Sequence, residues 1–292
     1  MVISNIIGGL GNQMFQYAAG RALSLRRGQS FHLDVSGFSC YQLHQGFELQ
    51  KVFDCAAELT QEEGVRRILG WQNSNVIKKV LAYPLFAMFR RSEYVVEPHF
   101  NYWDGLERVP NNCYLVGYWQ SEKYFLDFQF DIRRDFSFKV PLSGVNAELA
   151  KDISSTNSVS IHVRRGDYVA NLKANRTHGT CAVDYYENAI RYIADRVISP
   201  QFFIFSDDID WVRRNLPIDG PCQYVGHNQG GDSFNDMHLM SLCKHQIIAN
   251  SSFSWWGAWL NASTDKIVVA PKRWFAIERN TADLLPDSWV AL

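Results

Sequence analysis

The chain has 292 residues and a formal net charge of −1. This length allows one large domain or two of ordinary size. The near-neutral balance excludes a general basic field for nucleic acid or for an anionic membrane, so any phosphate site must be local. Hydrophobic residues make up 47% of the chain, which is enough to bury a large core.

Composition also predicts the compartment. Six cysteines are scattered without the spacing of a zinc site: Cys40, Cys55, Cys113, Cys181, Cys222 and Cys243. We interpret them as reduced thiols of a cytoplasmic protein, because a chain of this size does not need disulfides. The first residues lack the basic segment of a signal peptide, and the longest later apolar run, 80–89, is too short to span a bilayer. The sequence therefore predicts no integral membrane segment.

The first half of the chain opens with a β-loop-α-β pattern, which is typical of a doubly wound domain. The predicted elements are a strand over 2–7, a helix over 12–27, a strand over 31–34, mainly helical chain over 48–91, a strand over 114–118 and a helical segment over 124–136. Polar residues then dominate 141–157, where we predict the domain boundary.

In the second half, strands and helices alternate, which predicts a mainly parallel sheet. The predicted strands cover 159–163, 202–205, 224–225, 246–249 and 266–270, and the predicted helices cover 185–197, 209–216, 234–243 and 253–260. The pattern favours two Rossmann-like α/β domains, 1–157 and 158–292.

The segment 161–168, IHVRRGDY, places two adjacent arginines and a carboxylate where a strand gives way to a loop. A guanidinium stays charged at any working pH, and its fork matches phosphate oxygens. Adjacent strand residues point to opposite faces, so one arginine can face a ligand while the protein holds the other. Asp167 is close enough in sequence to orient one of them. The pattern indicates a diphosphate site, and a surface ion pair is the alternative.

Two further motifs have both a structural and a ligand-binding interpretation. Residues 250–254, NSSFS, lie between a strand and a helix, where they could cap the helix or bind phosphate at its N-terminus. Asp236 precedes an apolar helix, where its carboxylate could cap the helix or accept the two hydrogen bonds of a guanine edge. Residues 255, 256 and 259 are tryptophans, which we expect in the core or at a domain interface.

The glycine-rich loop at 8–13 imitates a dinucleotide fingerprint. Gly9-x-Gly11 follows a strand, and Asp34 ends the next strand. Met14 stands where the third glycine of that fingerprint should be, which weakens the interpretation. An NAD(P)-dependent oxidoreductase therefore stays open as an alternative, as does a non-catalytic nucleotide-sugar-binding protein.

Four blocks, taken in order, resemble the bacterial α-1,2-fucosyltransferases of glycosyltransferase family 11. The blocks are GGLGNQMFQY at 8–17, HVRRGDY at 162–168, FSDD at 205–208, and a last block that runs from DMH at 236–238 to NSSFSWWGAW at 250–259. The resemblance implies a GT-B-like fold, in which two Rossmann-like domains with parallel sheets face each other across a cleft. It also implies inverting transfer of L-fucose from GDP-fucose to the 2-hydroxyl of a galactose residue.

The resemblance assigns the donor to the domain 158–292 and the acceptor to the domain 1–157. It implies a donor site formed by Gly9, Gly11, Asn12, Gln13, His162, Arg164, Ser206, Asp207, Asp236, Asn250, Ser251, Ser252 and Phe253. We expect Arg164 to neutralise the leaving GDP, with Arg165 and Asp167 holding the loop. The general base is not identified among Asp34, His44 and Glu48 in the acceptor half.

No metal is expected at this site. Asp208-x-Asp210 matches a metal-binding signature of another glycosyltransferase architecture. Ser206 and Asp207 can instead cap the helix that follows, and the arginines can supply the positive charge. The expected partners are GDP-fucose and a galactose-terminated oligosaccharide, with no nucleic acid and no cofactor. A lipid-linked acceptor would bring the protein into peripheral contact with a membrane.

Overall fold

The computed structural model describes residues 1–40, 45–166, 176–177 and 179–292. These residues form two compact units. The first unit contains Met1–Lys139 and Asn280–Pro286, and the second contains Val140–Arg279 and Asp287–Leu292. The chain therefore passes from the first unit to the second, returns to the first, and passes to the second again.

The described part of the first unit contains a five-stranded sheet in which every strand pair is parallel. Its strands are β1 (Val2–Asn5), β2 (Phe31–Asp34), β3 (Glu58–Leu59), β4 (Tyr94–Val96) and β5 (Cys113–Val116), in the order β3-β2-β1-β5-β4. Its α-helices are α1 (Leu10–Arg27), α2 (Leu49–Val52), α3 (Glu62–Leu69), α4 (Asn75–Ala82) and α5 (Gln129–Asp135). Strand β1 lies at the centre of this sheet.

Helix α1 forms where the apolar spacing predicts it, and its ends follow from glycine. Gly9 precedes the first turn in an extended conformation. Gly28 ends the helix with a left-handed backbone (φ 59°), which a residue without Cβ adopts at little cost. Arg26 and Arg27 lie in the last turn, where positive charge complements the helix dipole. The apolar face, including Met14 and Phe15, is fully buried.

Gly20 allows α1 to pack directly on the sheet. A Cβ at this position would lie 2.1 Å from Ser4 Oγ and 2.5 Å from the Phe31 ring. We expect Gly20→Ala to destabilise the protein by about 1–3 kcal/mol, because overpacking outweighs the better helix propensity of alanine. Urea unfolding measures the effect. The matched control is Gly37→Ala, whose nearest neighbour is 4.0 Å away. Equal unfolding midpoints for both variants would contradict the packing argument.

The described part of the second unit contains a six-stranded sheet, again with parallel pairs throughout. Its strands are β6 (Asn157–Val163), β7 (Pro200–Ser206), β8 (Cys222–Val225), β9 (His245–Ile247), β10 (Val268–Ala270) and β11 (Val290–Ala291), in the order β11-β10-β9-β6-β7-β8. Its α-helices include α6 (Val145–Ser155), α7 (Val183–Ala194), α8 (Ile209–Asn215), α9 (Phe234–Leu242) and α10 (Ser252–Leu260). Strand β6 lies between β7 and β9.

The predicted α/β fold with parallel sheets is confirmed, but the predicted domain boundary needs correction. The structure divides the chain at Lys139 and Val140, not between 157 and 158. The polar stretch 141–157 contains helix α6, whose Asn146 Nδ2 donates to Asn228 Oδ1 at 2.8 Å inside the second unit. Its serines and its glycine suggested a linker, whereas its buried Ile153 anchors it as a helix.

Other predictions concern the core and the membrane. The tryptophans at 255, 256 and 259 are buried, as predicted, and the ring of Trp255 lies 5.3 Å from that of Trp289. Free thiols are found at five cysteines whose side chains the structure describes: Cys55, Cys113, Cys181, Cys222 and Cys243. Among the described residues, no helix has the length and apolar character needed to cross a membrane.

Candidate functional site

The sheet of the second unit reverses its winding direction beside β6. The chain continues from β6 to β7 on one side, whereas β9 lies on the other side and continues to β10. In open parallel sheets, ligands bind outside the carboxyl ends of the strands at such a switch point. Arg164 and Arg165 directly follow β6, and Asn250 to Ser252 follow β9 and begin α10. The two strongest sequence motifs therefore follow the two neighbouring strands that flank the switch point.

The two arginines are held in different ways. Arg164 Nη1 lies 3.1 Å from Asp207 Oδ2, and the side chain is 28% exposed. The guanidinium of Arg165 lies 3.6 Å from the centroid of the Trp211 ring, with Nε 3.7 Å from Asp208 Oδ2. This stacking fixes Arg165 against α8. Arg164, at 28% exposed against 18% for Arg165, is the more accessible of the two side chains.

Asp207 positions both arginines from the end of β7. Besides the ion pair with Arg164, its Oδ1 accepts a hydrogen bond from the backbone N–H of Arg165 at 2.9 Å. A Cβ at Gly166 would lie 2.9 Å from Asp207 Oδ2, so glycine lets the loop pass close to this carboxylate. Asp167, predicted to hold the same loop, lies outside the described residues.

The cap of helix α8 differs from the prediction. Asp208 is the capping residue, since its Oδ1 accepts from the backbone N–H of Trp211 at 3.2 Å. Ser206 Oγ accepts from the backbone N–H of Asp208 at 3.0 Å and shapes the turn. The predicted capping role of Ser206 and Asp207 therefore belongs to Asp208. Asp207 is left to act on the arginines.

His162 lies near the end of β6 and is 5% exposed. Burial, assisted by the positive charge of Arg164, lowers the pKa of His162 to about 3, so its imidazole is neutral at working pH. Its ring centroid lies 5.8 Å from that of Phe253. Its Nδ1 is buried and has no hydrogen-bond partner among the described residues. Because a buried unpaired nitrogen is costly, this atom indicates a ligand contact.

The start of α10 contains one residue that caps the helix and one that braces the loop. Ser251 Oγ accepts from the backbone N–H of Phe253 at 3.3 Å, so Ser251 caps the helix as one interpretation predicted. Asn250 Nδ2 donates to the carbonyls of Gly179 and Trp274, at 3.2 and 3.1 Å. The amide hydrogens of Asn250 are therefore used within the protein, and its ligand contact stays a prediction. Ser252 is partly exposed in the first turn.

Asp236 lies inside the first turn of α9 and does not cap it. The capping position belongs to Ser233, without a side-chain cap bond. The Asp236 carboxylate accepts from Asn228 Nδ2 at 2.7 Å, and the same Nδ2 lies 3.0 Å from Asn146 Oδ1. Burial raises the pKa of Asp236 to about 7, although the Asn228 hydrogen bond opposes the shift. A partly buried carboxylate whose pKa is raised in this way is a candidate functional group.

In the first unit, the glycine-rich loop is tied to the segment 46–48 by Gln13. Its Nε2 donates to the carbonyls of Gly8 and Gly46, at 2.9 and 2.7 Å, and its Oε1 accepts from the backbone N–H of Glu48 at 2.9 Å. Both amide hydrogens are used within the protein, and the ligand contact of Gln13 stays a prediction. Asn12 Oδ1 accepts from Gln120 Nε2 at 2.7 Å.

The remaining loop predictions concern glycines and possible bases. Gly9 and Gly11 lie at the start of α1, where they contribute only backbone. Asp34 is engaged by Tyr114, whose hydroxyl donates to Oδ2 at 2.6 Å. Burial acts to raise the pKa of Asp34, but hydrogen bonds from Tyr114 and Ser36 outweigh it and keep the pKa below its ordinary value.

Among the candidate bases, Glu48 differs from Asp34 in its ionisation. Burial raises the pKa of Glu48, against a smaller opposing effect of Lys51. A general base profits from a pKa closer to the working pH, so Glu48 fits that role better than Asp34. His44 lies outside the described residues.

A loop that sequence reasoning missed follows β5 at the switch point of the first sheet. Glu97 accepts from the backbone N–H groups of Tyr118 and Trp119, at 2.8 and 2.9 Å. Trp119 has a positive φ of 55°, a strained conformation that often marks functional loops. A Cβ at Gly117 would lie 2.4 Å from Glu97 Cβ, so only glycine allows this approach. The available signal was Gly117 inside the predicted strand 114–118, because a glycine within a strand pattern often marks a close backbone approach.

Asp208 and Asp210 do not form part of a metal cluster in the described structure. Across residues 1–40, 45–166, 176–177 and 179–292, no three His, Cys, Asp or Glu side chains are grouped closely enough to hold a metal ion. Positive charge near the end of β6 is supplied by arginine.

Two Rossmann-like units, each with a parallel sheet, and an arginine and a helix N-terminus at one switch point define an α/β protein of the GT-B type. A family model described as glycosyl transferase family 11 matches residues 86–292. The chain belongs to this family of glycosyltransferases. This membership removes the support for the oxidoreductase alternative.

Three relatives show how far the similarity extends. The chain is 37% identical to an alpha-1,2-colitosyltransferase of Escherichia coli, covering 100% of this chain and 99% of the relative. It is 38% identical to the O-antigen biosynthesis glycosyltransferase WbnK of Escherichia coli, with 99% of each chain covered. It is 25% identical to the galactoside 2-alpha-L-fucosyltransferase SEC1 of Bos taurus, covering 99% of this chain and 73% of the relative.

Among solved structures, the fucosyltransferase NodZ from Bradyrhizobium is similar, with a TM-score of 0.55 and 18% identity. The match covers 88% of this chain and 90% of NodZ. At this identity the likeness shows the fold alone, and it agrees with the GT-B type.

Proposed function

We propose that this glycosyltransferase moves L-fucose from GDP-fucose to the 2-hydroxyl of a galactose residue, with inversion at the anomeric carbon. The observation that carries the proposal is the pairing of Arg164 with Asp207 at the end of β6. The neighbouring strand, β9, leads into α10. The relatives named for alpha-1,2 transfer of colitose and of L-fucose support the linkage and the sugar class.

The proposed chemistry requires charge stabilisation more than covalent catalysis. As the glycosidic bond breaks, negative charge develops on the leaving GDP. Arg164 is oriented by Asp207 and supplies a fixed positive charge that can donate to the diphosphate. The N-terminus of α10, with the Ser252 hydroxyl, adds partial positive charge and hydrogen-bond donors. On this proposal the site works without a metal ion.

The proposed base recognition uses His162 and Asp236. The ionised Asp236 carboxylate would accept from guanine N1–H and N2–H₂, a pair of donors that adenine lacks. The buried Nδ1 of neutral His162 would gain its missing partner from the nucleoside. NodZ, whose fold is similar, has been solved after soaking with GDP-fucose. A guanine nucleotide is therefore the proposed donor carrier.

GDP-colitose is the second candidate donor, and the similarity to the colitosyltransferase over the full chain favours it. Colitose is fucose without its 3-hydroxyl. A site that hydrogen-bonds this hydroxyl rejects the deoxy sugar strongly, whereas an apolar site discriminates only weakly. The two candidate functions therefore differ in which donor the enzyme prefers. Both give the proposed α-1,2 linkage.

A direct transfer assay tests the function. The purified protein is given GDP-fucose, GDP-colitose or UDP-galactose with a β-galactoside acceptor, and the product linkage is determined by NMR. We expect transfer from GDP-fucose with an α-1,2 linkage, none from UDP-galactose, and activity that is retained in EDTA. A higher kcat/KM with GDP-colitose than with GDP-fucose would make GDP-colitose the donor. Activity lost in EDTA and restored by Mn²⁺ or Mg²⁺ would contradict the metal-independent mechanism.

A further inference from the structure

The first unit exposes a dense group of large apolar side chains within residues 71–89, which we call the 71–89 surface. It consists of Trp71 (66% exposed), Val76 (71%), Val80 (42%), Tyr83 (66%), Leu85 (81%), Met88 (83%) and Phe89 (59%). Single exposed apolar residues are ordinary, but a concentration of them marks an interaction site. The donor chemistry proposed above does not use this surface.

Hydrogen bonds give the 71–89 surface a defined backbone. Gln72 Nε2 donates to the Phe89 carbonyl at 2.8 Å, and Gln72 Oε1 accepts from the backbone N–H of Arg91 at 3.2 Å. Arg90 donates to the carbonyls at the end of α4, including that of Tyr83 at 3.1 Å. The apolar side chains therefore project from a backbone that these hydrogen bonds hold in place. Their exposure is a property of the folded unit.

The same segment is strongly basic. No acidic residue lies between Glu63 and Glu93, whereas six basic residues do: Arg66, Arg67, Lys78, Lys79, Arg90 and Arg91. Lys78 points inward, with Nζ 3.7 Å from Asp34 Oδ2. Arg66 and Arg91 pair with the flanking Glu62 and Glu93, at 3.0 and 3.3 Å. Arg67 and Lys79 are exposed. In a chain whose net charge is −1, this is a local concentration of positive charge.

We propose that the 71–89 surface docks onto a membrane that contains anionic lipids. Exposed Trp, Tyr, Phe and Leu beside Lys and Arg is the composition of segments that lie in the plane of a bilayer interface. The apolar tips would enter the boundary between headgroups and acyl chains, while Arg67 and Lys79 meet the anionic headgroups. Helix α4 has eight residues, so the segment lies on the membrane and does not span it.

Charge argues for lipid over a second copy of the chain. In a two-fold dimer formed through the 71–89 surface, this surface of one copy would face the same surface of the other copy. Arg67 and Lys79 of one copy would then oppose the same cations of the other, and residues 64–92 contain no carboxylate to pair with them. An anionic bilayer supplies the complementary charge. A dimer is therefore an outcome that the experiment can detect.

The test is co-sedimentation of the purified protein with phosphatidylglycerol/phosphatidylethanolamine vesicles. The variant is Leu85→Ser/Met88→Ser/Phe89→Ser. The control is Phe130→Ser/Ile198→Ser, whose apolar side chains are equally exposed (80% and 84%) outside the surface. We expect the control to bind as the original chain does and the triple variant to lose at least tenfold in partition coefficient. Circular dichroism checks that both variants are folded.

A second pair of measurements tests the role of charge. Arg67→Glu/Lys79→Glu should weaken binding to anionic vesicles by at least tenfold, since each cation near such a surface contributes about a fivefold effect. Binding should also fall as salt rises, and phosphatidylcholine vesicles should bind poorly. The proposal is overturned if the original chain fails to sediment with anionic vesicles, or if both serine variants lose binding equally. It is also overturned if light scattering shows that the original chain and the control variant are dimers and that the triple variant is a monomer.

Discussion

Replacing Arg164 with alanine is expected to lower kcat by about 10²–10³ and to weaken GDP binding while the fold stays intact. The physical reason is that a fixed cation stabilises the charge developing on the leaving diphosphate, a contribution of about 2.7–4 kcal/mol for comparable donors. Arg164→Lys should recover little activity, because an ammonium cannot reproduce the two parallel hydrogen bonds of a guanidinium fork. Single-turnover kinetics and calorimetry with GDP provide the measurements.

The matched control for this prediction is Arg213→Ala. Arg213 lies in the same unit on α8, with its guanidinium 5.0 Å from the centroid of the Tyr224 ring, and it is remote in sequence from the motif. Asp207→Asn is expected to show a smaller loss that lies between the two, because it weakens the orientation of Arg164 without removing the cation. If Arg164→Ala and Arg213→Ala have the same kcat and the same GDP affinity, Arg164 has no role in the donor site.

Replacing Asp236 with asparagine is expected to reduce the preference for GDP over ADP by about 10- to 150-fold, the effect of losing a hydrogen bond to a charged group of about 1.5–3 kcal/mol. The affinity ratio is the decisive readout, since both nucleotides carry the same diphosphate. Asp210→Asn, at an exposed position in the first turn of α8, is the control. A variant that keeps the original preference would leave Asp236 without a part in base recognition.

The raised pKa of Asp236 adds a pH dependence whose sign can be worked out. Its ordinary value is 3.8 and its folded value is about 7. Folding therefore favours the protonated form, so this residue stabilises the fold most below pH 4 and loses that contribution as pH rises through 7. Guanine recognition needs the ionised form, so the GDP/ADP preference should fall by up to about tenfold per pH unit below 7. Asp236→Asn should remove both dependences, as calorimetry and thermal unfolding across pH 5–8 would show.

The sequence predicted the fold well where hydrophobic periodicity is long and glycine marks the ends. Helix α1 and strand β2 were placed almost residue for residue. The short strands β3, β4 and β11 were missed, because two or three residues carry no readable period and their pairing depends on neighbours distant in the chain. Helix α6 was missed because its polar exposed face resembles a linker.

The candidate site could be predicted as a set of motifs but not as an arrangement. Arg164 and Arg165 are equivalent by type and adjacent in the chain, and only the ring of Trp211 distinguishes the held arginine from the partly open one. Gln13 and Asn250 looked like ligand donors, yet the structure uses their amides to brace loops. Such uses depend on backbone carbonyls brought together by folding, which a sequence pattern does not display.

The repeated passage of the chain between the two units limits how they can be exchanged. A fragment that ends at Lys139 lacks Asp283, which accepts a hydrogen bond from the backbone N–H of Tyr102 at 3.1 Å. A fragment that covers only Val140–Arg279 lacks β11, the partner of β10. A chimera that takes its second unit from a relative therefore needs three junctions. Exchanging a whole unit within this family requires two separate segments to be replaced together, and a single crossover leaves both units incomplete.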